Sequence, residues 1–241
     1  MDPLPDAAPA TGARARNRRA IETQILAVAR RHLAETGAAS LSLRAIARDM
    51  GLTPSALYRY VENRDELLTR LIIAAFDAAA KQVEEAESRV AGDDLPGRWR
   101  AIAHALRSWA LAHPHEYALV YGSPVPDYHA PGELTTPSGT RVIARLMALY
   151  ADAAAAGAHP RPAALAPDAR DVVVRALLED AAPPDTPADP DLVLAGATAW
   201  MLLLGTISQE VFGHAGDLGP AAEPLFDASI AHAWAIVTGE G

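Results

Sequence analysis

Twenty residues, Ser42 to Val61 (SLRAIARDMGLTPSALYRYV), concentrate the side chains best suited to holding another molecule. Arg44, Arg48, Ser55, Tyr58, Arg59 and Tyr60 supply guanidinium forks, hydroxyls and aromatic faces. These groups bind anions, hydrogen-bonding edges and flat rings. Leu43, Ile46, Ala47, Leu52, Leu57 and Val61 are spaced to turn inward between them. Ser42, Thr53 and Asn63 are helix N-cap types, and each would aim free backbone N–H groups outward, where a phosphate can take them. This is the chemistry of recognition. No HExxH, GxSxG, GxGxxG or P-loop pattern occurs, there is no cysteine, and no carboxylate pair is set in an obvious cleft, so no enzyme is expected. His113, His115, Asp127 and His129 match no metal-binding spacing, and neither metal nor cofactor is expected.

Those side chains need a scaffold, and the pattern predicts an all-α fold. Ile21, Ile25, Val28, Ala29 and Leu33 recur at helical spacing from Arg18, and Gly37 stops the run. Ser42 opens a short second helix that ends before Gly51. Thr53-Pro54 opens a third, Pro54 to Tyr60, because proline fits the first helical position. A short helix, a glycine turn and a second short helix form the helix-turn-helix arrangement, whose second helix enters the major groove of DNA. Asn63 and Glu66 resemble a capping box at the head of a long fourth helix reaching about Ala91. Gly92-Asp93-Asp94-Leu95-Pro96-Gly97 is the expected domain boundary. Beyond it helices are expected at 97–113, 114–122, 137–156, 168–180, 190–212 and 220–238, with loops at 123–135, 157–167 and 181–188. Residues 1–13 are expected to be a disordered tail. The run Arg14 to Arg19 reads as an arm, binding DNA phosphates or the minor groove in one reading and merely solubilising in the other.

The formal net charge of −9 argues at first against a polyanion as partner. It divides unevenly. Residues 1–70 sum to +3 and residues 71–241 to −12, while 14–48 alone carry eight arginines against two glutamates. A basic head on an acidic body fits two parts with different partners. No secretory signal is recognisable in MDPLPDAAPATG. The uncharged stretch Leu192 to Ser208 holds Gly196, Thr198, Gly205 and Thr206 and reads as a buried helix rather than a membrane span. A cytoplasmic protein with no membrane partner is expected.

Ile46-Ala47, Gly51-Leu52, Leu57-Tyr58-Arg59-Tyr60-Val61 and Asn63-Arg64-Asp65-Glu66-Leu67-Leu68 resemble the tetracycline-repressor (TetR/AcrR) family of bacterial regulators across residues 19–79. Arg64 stands where the family usually has Lys, and Val61 where an aromatic commonly closes the motif. The resemblance implies a DNA-binding domain over 14–79 and a ligand-binding, dimerising body over 97–241. It implies that Arg44 reads guanine, that Pro54, Ser55, Tyr58 and Arg59 face base edges, and that Ser42, Thr53, Tyr60 and Arg64 hold phosphates. Residues 109–117, 121–128 and 200–214 resemble the ligand domain called WHG in actinobacterial members, with Leu204 where a His commonly precedes the glycine. On the helices that enclose the inducer pocket in such relatives lie Trp109, Tyr117, Tyr121, Met147, Tyr150 and Trp200.

The last two helices are apolar around much of their circumference. Small Ala195 and Ala199, with Leu192, Leu202, Phe226, Ile230 and Ile236, suit a four-helix dimer interface, the alternative being that they complete the monomer core. The function expected is a homodimeric repressor on a pseudo-palindromic double-stranded DNA operator, released by a small-molecule inducer. The competing readings are a helical ligand-binding protein or enzyme keeping a relic head, and an activator of the same family.

Overall fold

In the computed structural model, residues 10–160, 165–179 and 189–240 are described. Most of the expected tail and the loop 181–188 lie outside them. Eleven α-helices and two short 3-10 turns, with no strand among the described residues, make the chain all-α.

The chain groups into two compact units. Met1–Ala74 and His115–Pro131 form the first, and Ala75–Pro114 with Gly132–Gly241 the second. The division falls within one continuous helix rather than at 92–97. Residues 115–131, which the expected body included, group with the head.

In the first unit, α1 spans Ala10–Thr36. It begins eight residues before Arg18, so residues 10–13 are helical, and Arg14 to Arg19 are its early turns rather than a flexible arm. Alanine and arginine are strong helix formers and extend a helix that its apolar face has already nucleated. Ile25, Val28, Ala29 and Leu33 are buried. Gly37 and Gly51 take positive φ of 75° and 66°, which lets α1 turn into Ala38–Ser40 and lets α2, Leu43–Asp49, reverse into the next helix. α3 is Pro54–Leu57, shorter than the expected 54–60; Tyr60 N donates to Leu57 O at 2.8 Å, so a tighter turn continues it. Leu43, Ile46, Ala47, Leu57 and Val61 are buried, as their spacing requires, and Leu52 is half-buried. α4 runs Arg64–Glu87, and α6, Pro114–Tyr121, is held to α1 by Arg30 and Glu116. The Thr69 and Tyr128 hydroxyls share a hydrogen bond of 2.8 Å.

The second unit takes up α4 from Ala75 and adds α5 (Leu95–Ala112), α7 (Gly132–Gly139), α8 (Arg141–Ala155), α9 (Pro167–Glu179), α10 (Pro190–Val211) and α11 (Ala222–Thr238). The first half of α7 lies in the expected loop 123–135, and Pro137 sits inside it instead of starting a helix over 137–156. Gly139 ends α7 against the Phe76 ring, 3.2 Å from where a Cβ would stand. The core is aromatic. The Trp99 indole donates to Ile230 O at 2.7 Å, stacks on Trp234 at 6.1 Å and meets Tyr150 at 6.2 Å, tying α5 to α11 and α8. Arg107 clasps Glu210 with contacts of 2.8 to 3.1 Å and lies over the Phe226 ring.

Among the described residues of this unit, Glu87 is a buried charge, 3% exposed. Arg98 reaches one oxygen at 2.8 Å and Arg145 the other at 2.6 Å. Arg98 also reaches Asp152 at 2.7 Å; that bond first, then Glu87, raises the guanidinium's pKa against the opposing cost of burial. Removing one partner of a buried network leaves the others unsatisfied. Glu87→Ala is therefore expected to destabilise the protein by about 3 kcal/mol, read as a lower denaturant midpoint with unchanged slope.

Candidate nucleic-acid interface and ligand cavity

The recognition side chains are positioned by caps and a short hydrophobic seam. Ser42 Oγ accepts from Ala45 N at 3.4 Å and Thr53 Oγ1 from Ala56 N at 3.3 Å, so both helices start where the sequence placed them. Asn63 Oδ1 caps α4 through Glu66 N at 2.9 Å, while Glu66 reaches back to Glu62 N, one residue before the position of an ordinary capping box. Leu52 N donates to Ala47 O at 2.9 Å, closing the turn on α2.

With the seam buried, Ser42, Arg44, Thr53, Pro54, Ser55, Tyr58 and Arg59 are all exposed. Tyr58 is 48% exposed although it follows directly on buried Leu57. Its ring is therefore on the surface and not core packing. Two residues expected on phosphates are already engaged. Arg64 donates to the carbonyls of Ala38 and Ala39 at 3.1 and 3.2 Å, and Tyr60 is half-buried beneath the Arg18 guanidinium, 5.3 Å from its ring centre.

One head contact has no sequence-level signal, because its partners lie 17 residues apart on different helices. His32, 8% exposed, meets Asp49 at 2.8 Å and joins α1 to the end of α2. Its hydrogen bond is the main cause that holds the Asp49 carboxyl below the usual carboxylate range.

The second unit contains a cavity of about 450 Å³ walled by α8, α9 and α10. Met147, Tyr150 and Trp200 line it, joined by Leu192 and by Leu146 and Leu177, which carry no marker beyond being apolar. Trp109, Tyr117 and Tyr121 do not. Trp109 is 1% exposed in α5, and Tyr117 and Tyr121 belong to the first unit, their rings 5.2 Å apart. The wall is almost wholly apolar, and its ionised residue, Asp189, is exposed. Burial pushes the Tyr150 phenol up, so it stays a neutral hydroxyl. Gly196 lies against that ring, and a Cβ there would come within 2.8 Å of it. The small residue thus admits an aromatic side chain of its own unit.

Among the residues expected to join two copies, Ala195, Ala199, Phe226 and Ile230 are at most 6% exposed. They are sealed in the unit's own core and offer no surface to a second copy. Leu192, Leu202 and Ile236 are half-buried. The open apolar positions on α10 and α11 are instead Met201, 63% exposed, and Leu225, 49% exposed, on either side of a furrow that Leu202 and Gly205 also line. α10 is long and apolar enough to cross a membrane, with 28% of its most apolar window buried. In the structure it packs on α5, α8, α9 and α11.

Two capped helices about a glycine turn, with a basic and aromatic outer face, joined in one chain to a helical unit holding an apolar cavity, define the class of helix-turn-helix transcriptional regulators. Residues 25–71 match the domain described as bacterial regulatory proteins, tetR family. Residues 99–233 match the Tetracyclin repressor-like, C-terminal domain. The HTH-type transcriptional regulator Rv1816 of Mycobacterium tuberculosis is 40% identical over 219 residues, spanning 90% of this chain and 92% of its own. Mb1846 of Mycobacterium bovis, also an HTH-type transcriptional regulator, matches to the same extent. Among solved structures, the protein SCO4313 superposes with a TM-score of 0.74 at 32% identity, over 90% of this chain and 97% of that one. A Rhodococcus sp. RHA1 protein of unknown function shares the fold at TM-score 0.65 and 24% identity, over 90% of this chain and 95% of its own. The chain belongs to the tetR family of bacterial regulatory proteins.

Proposed function

We propose that this regulator is a homodimeric repressor whose head, residues 14–79, binds a pseudo-palindromic operator, and whose body, residues 97–241, senses a small molecule. The observation that carries the reading is the outward set Arg44, Ser55, Tyr58 and Arg59 on a rigidly capped motif, in a chain that also holds a separate apolar cavity. Arg44 and Arg59 offer bidentate forks to guanine O6 and N7, Ser55 and Tyr58 offer hydroxyls to base edges, and Ser42 and Thr53 lie by phosphates. Two-fold pairing through the Met201–Leu225 face sets two such heads about one helical turn of DNA apart. A ligand releases DNA by binding more tightly to a conformation whose head spacing no longer fits the operator.

The cavity also favours a ligand class. An apolar wall with a neutral tyrosine and, among the described residues, no buried ionised group disfavours charged molecules, since burying an unpaired charge costs several kcal/mol. The test begins with selection of genomic fragments by the purified protein, followed by footprinting, which should show a two-fold-symmetric protected site. Decan-2-one, decanoate and decylammonium are then compared. The ketone at a hundredfold excess over its Kd is expected to raise Tm by about 5 °C and to weaken retention of the selected fragment. The two ions should do neither. Failure to retain any fragment at low salt would overturn the repressor reading, and a stronger shift with either ion would overturn the ligand class.

A further inference from the structure

We infer that the early turns of α1 form a second, ordered DNA-binding element, laid along phosphates that flank the bases read by α3; this rests on the DNA-binding reading above. Arg14, Arg16, Arg18 and Arg19 stand on a continuous helix and all four are exposed. Arg18 pairs with Glu22 at 2.9 Å. Among the described residues, no ion pair neutralises Arg14, Arg16 or Arg19. Four guanidinium groups within two turns repel one another, and no acid offsets them in the first turn of the helix. Helix propensity accounts for good helix formers here but not for four like charges among them. An external polyanion does.

The second observation fixes where the row lies. The Arg18 guanidinium rests over the Tyr60 ring at 5.3 Å, a cation–π contact that sets the start of α1 beside the segment leaving α3. Arg14 stands one turn before Arg18 on the same helical face. The stretch from Arg14 to Arg19 rises about 7.5 Å along the helix axis, enough to follow two successive phosphates of one strand. Arg14 is thus held in register with the recognition segment, while Arg16 and Arg19 project from other sides of the same ordered helix. A flexible basic tail would lack that register.

The experiment uses the full chain and a duplex of about 40 base pairs selected from a random library by the wild-type protein, with affinity followed against salt. Arg14→Ala, Arg16→Ala and Arg19→Ala together keep good helix formers in place. That variant is expected to lose about 0.9 from the salt slope for each phosphate contact removed, and to bind about 10- to 100-fold more weakly at 0.1 M salt. Trimming the duplex flanks should weaken the wild type and leave the triple variant unaffected. Asn17→Pro keeps every arginine but breaks the helix among them. It should lose most of the same affinity. Wild-type binding by Asn17→Pro would show a flexible tail and overturn the ordered element. An unchanged slope in the triple variant would overturn the contact itself, while leaving the DNA-binding reading intact. Absence of wild-type binding at low salt would remove both.

Discussion

Replacing Tyr58 and Arg59 together by alanine is expected to abolish sequence-specific DNA binding while moving Tm by no more than about 2 °C. Both side chains are exposed, and the helix they follow is fixed by Thr53, Pro54 and buried Leu57, which the substitutions leave alone. Each good base contact discriminates by about 1–3 kcal/mol, and a two-fold complex loses every contact twice. The total of about 4–12 kcal/mol is of the same size as the usual gap between specific and non-specific binding, about 4–10 kcal/mol. Residual binding should be weak, steeply salt-dependent and indifferent to sequence. Footprinting with the operator and a scrambled duplex reads the difference; retained preference for the operator would refute the assignment of α3.

The second large effect is expected from the body. Met201→Asp and Leu225→Asp together place charges on two of the most exposed apolar positions of α10 and α11. Folding should be little changed, because neither side chain belongs to the core. Pairing should not survive, since four carboxylates would meet across a two-fold axis and lose their hydration. Sedimentation is expected to show monomer at micromolar concentration. Operator affinity should fall at least about 100-fold, because each head then binds its half-site alone. A variant that still sediments as a dimer would place the interface elsewhere. Phe226→Ala is the contrasting case. It opens a cavity at a residue 0% exposed and should cost about 3–5 kcal/mol of folding stability.

The head was legible because its determinants are local. Ser42, Gly51, Thr53 and Pro54 each act on their own turn, so the two helices, their caps and the inward set Leu43, Ile46, Ala47 and Leu57 followed from spacing. What failed was either local propensity that carries no apolar period or packing between distant segments. The start of α1 was set at Arg18 by the first apolar period, but alanine and arginine prolong a nucleated helix without an apolar face. Arg64 and Tyr60 carry the right chemistry for phosphates, yet their engagement with Ala38, Ala39 and Arg18 depends on which helix lies alongside. In the body, Gly132 reads as part of a loop and Pro137 as the start of a helix, and both fall inside α7. The punctuation at 92–97 marks a chain reversal, with Asp94 capping α5, whereas α4 runs unbroken through the division at Ala74. Whether an apolar position on α10 faces outward or inward is decided by packing on α5, α8 and α11, and a helix apolar all round does not reveal it.

The pairing of Gly196 with Tyr150 sets stability against the shape of the cavity. Alanine in a helix interior is favoured over glycine by about 1 kcal/mol, so selection for a sturdier α10 would press position 196 towards alanine. The added methyl would fall 2.8 Å from the Tyr150 ring and turn the phenol, changing the shape of the cavity while leaving its hydrocarbon wall intact. One methyl group would then change which molecules the cavity fits, without altering any residue of the head. A change in what the cavity can hold would then start at a lining position that carries no side chain of its own.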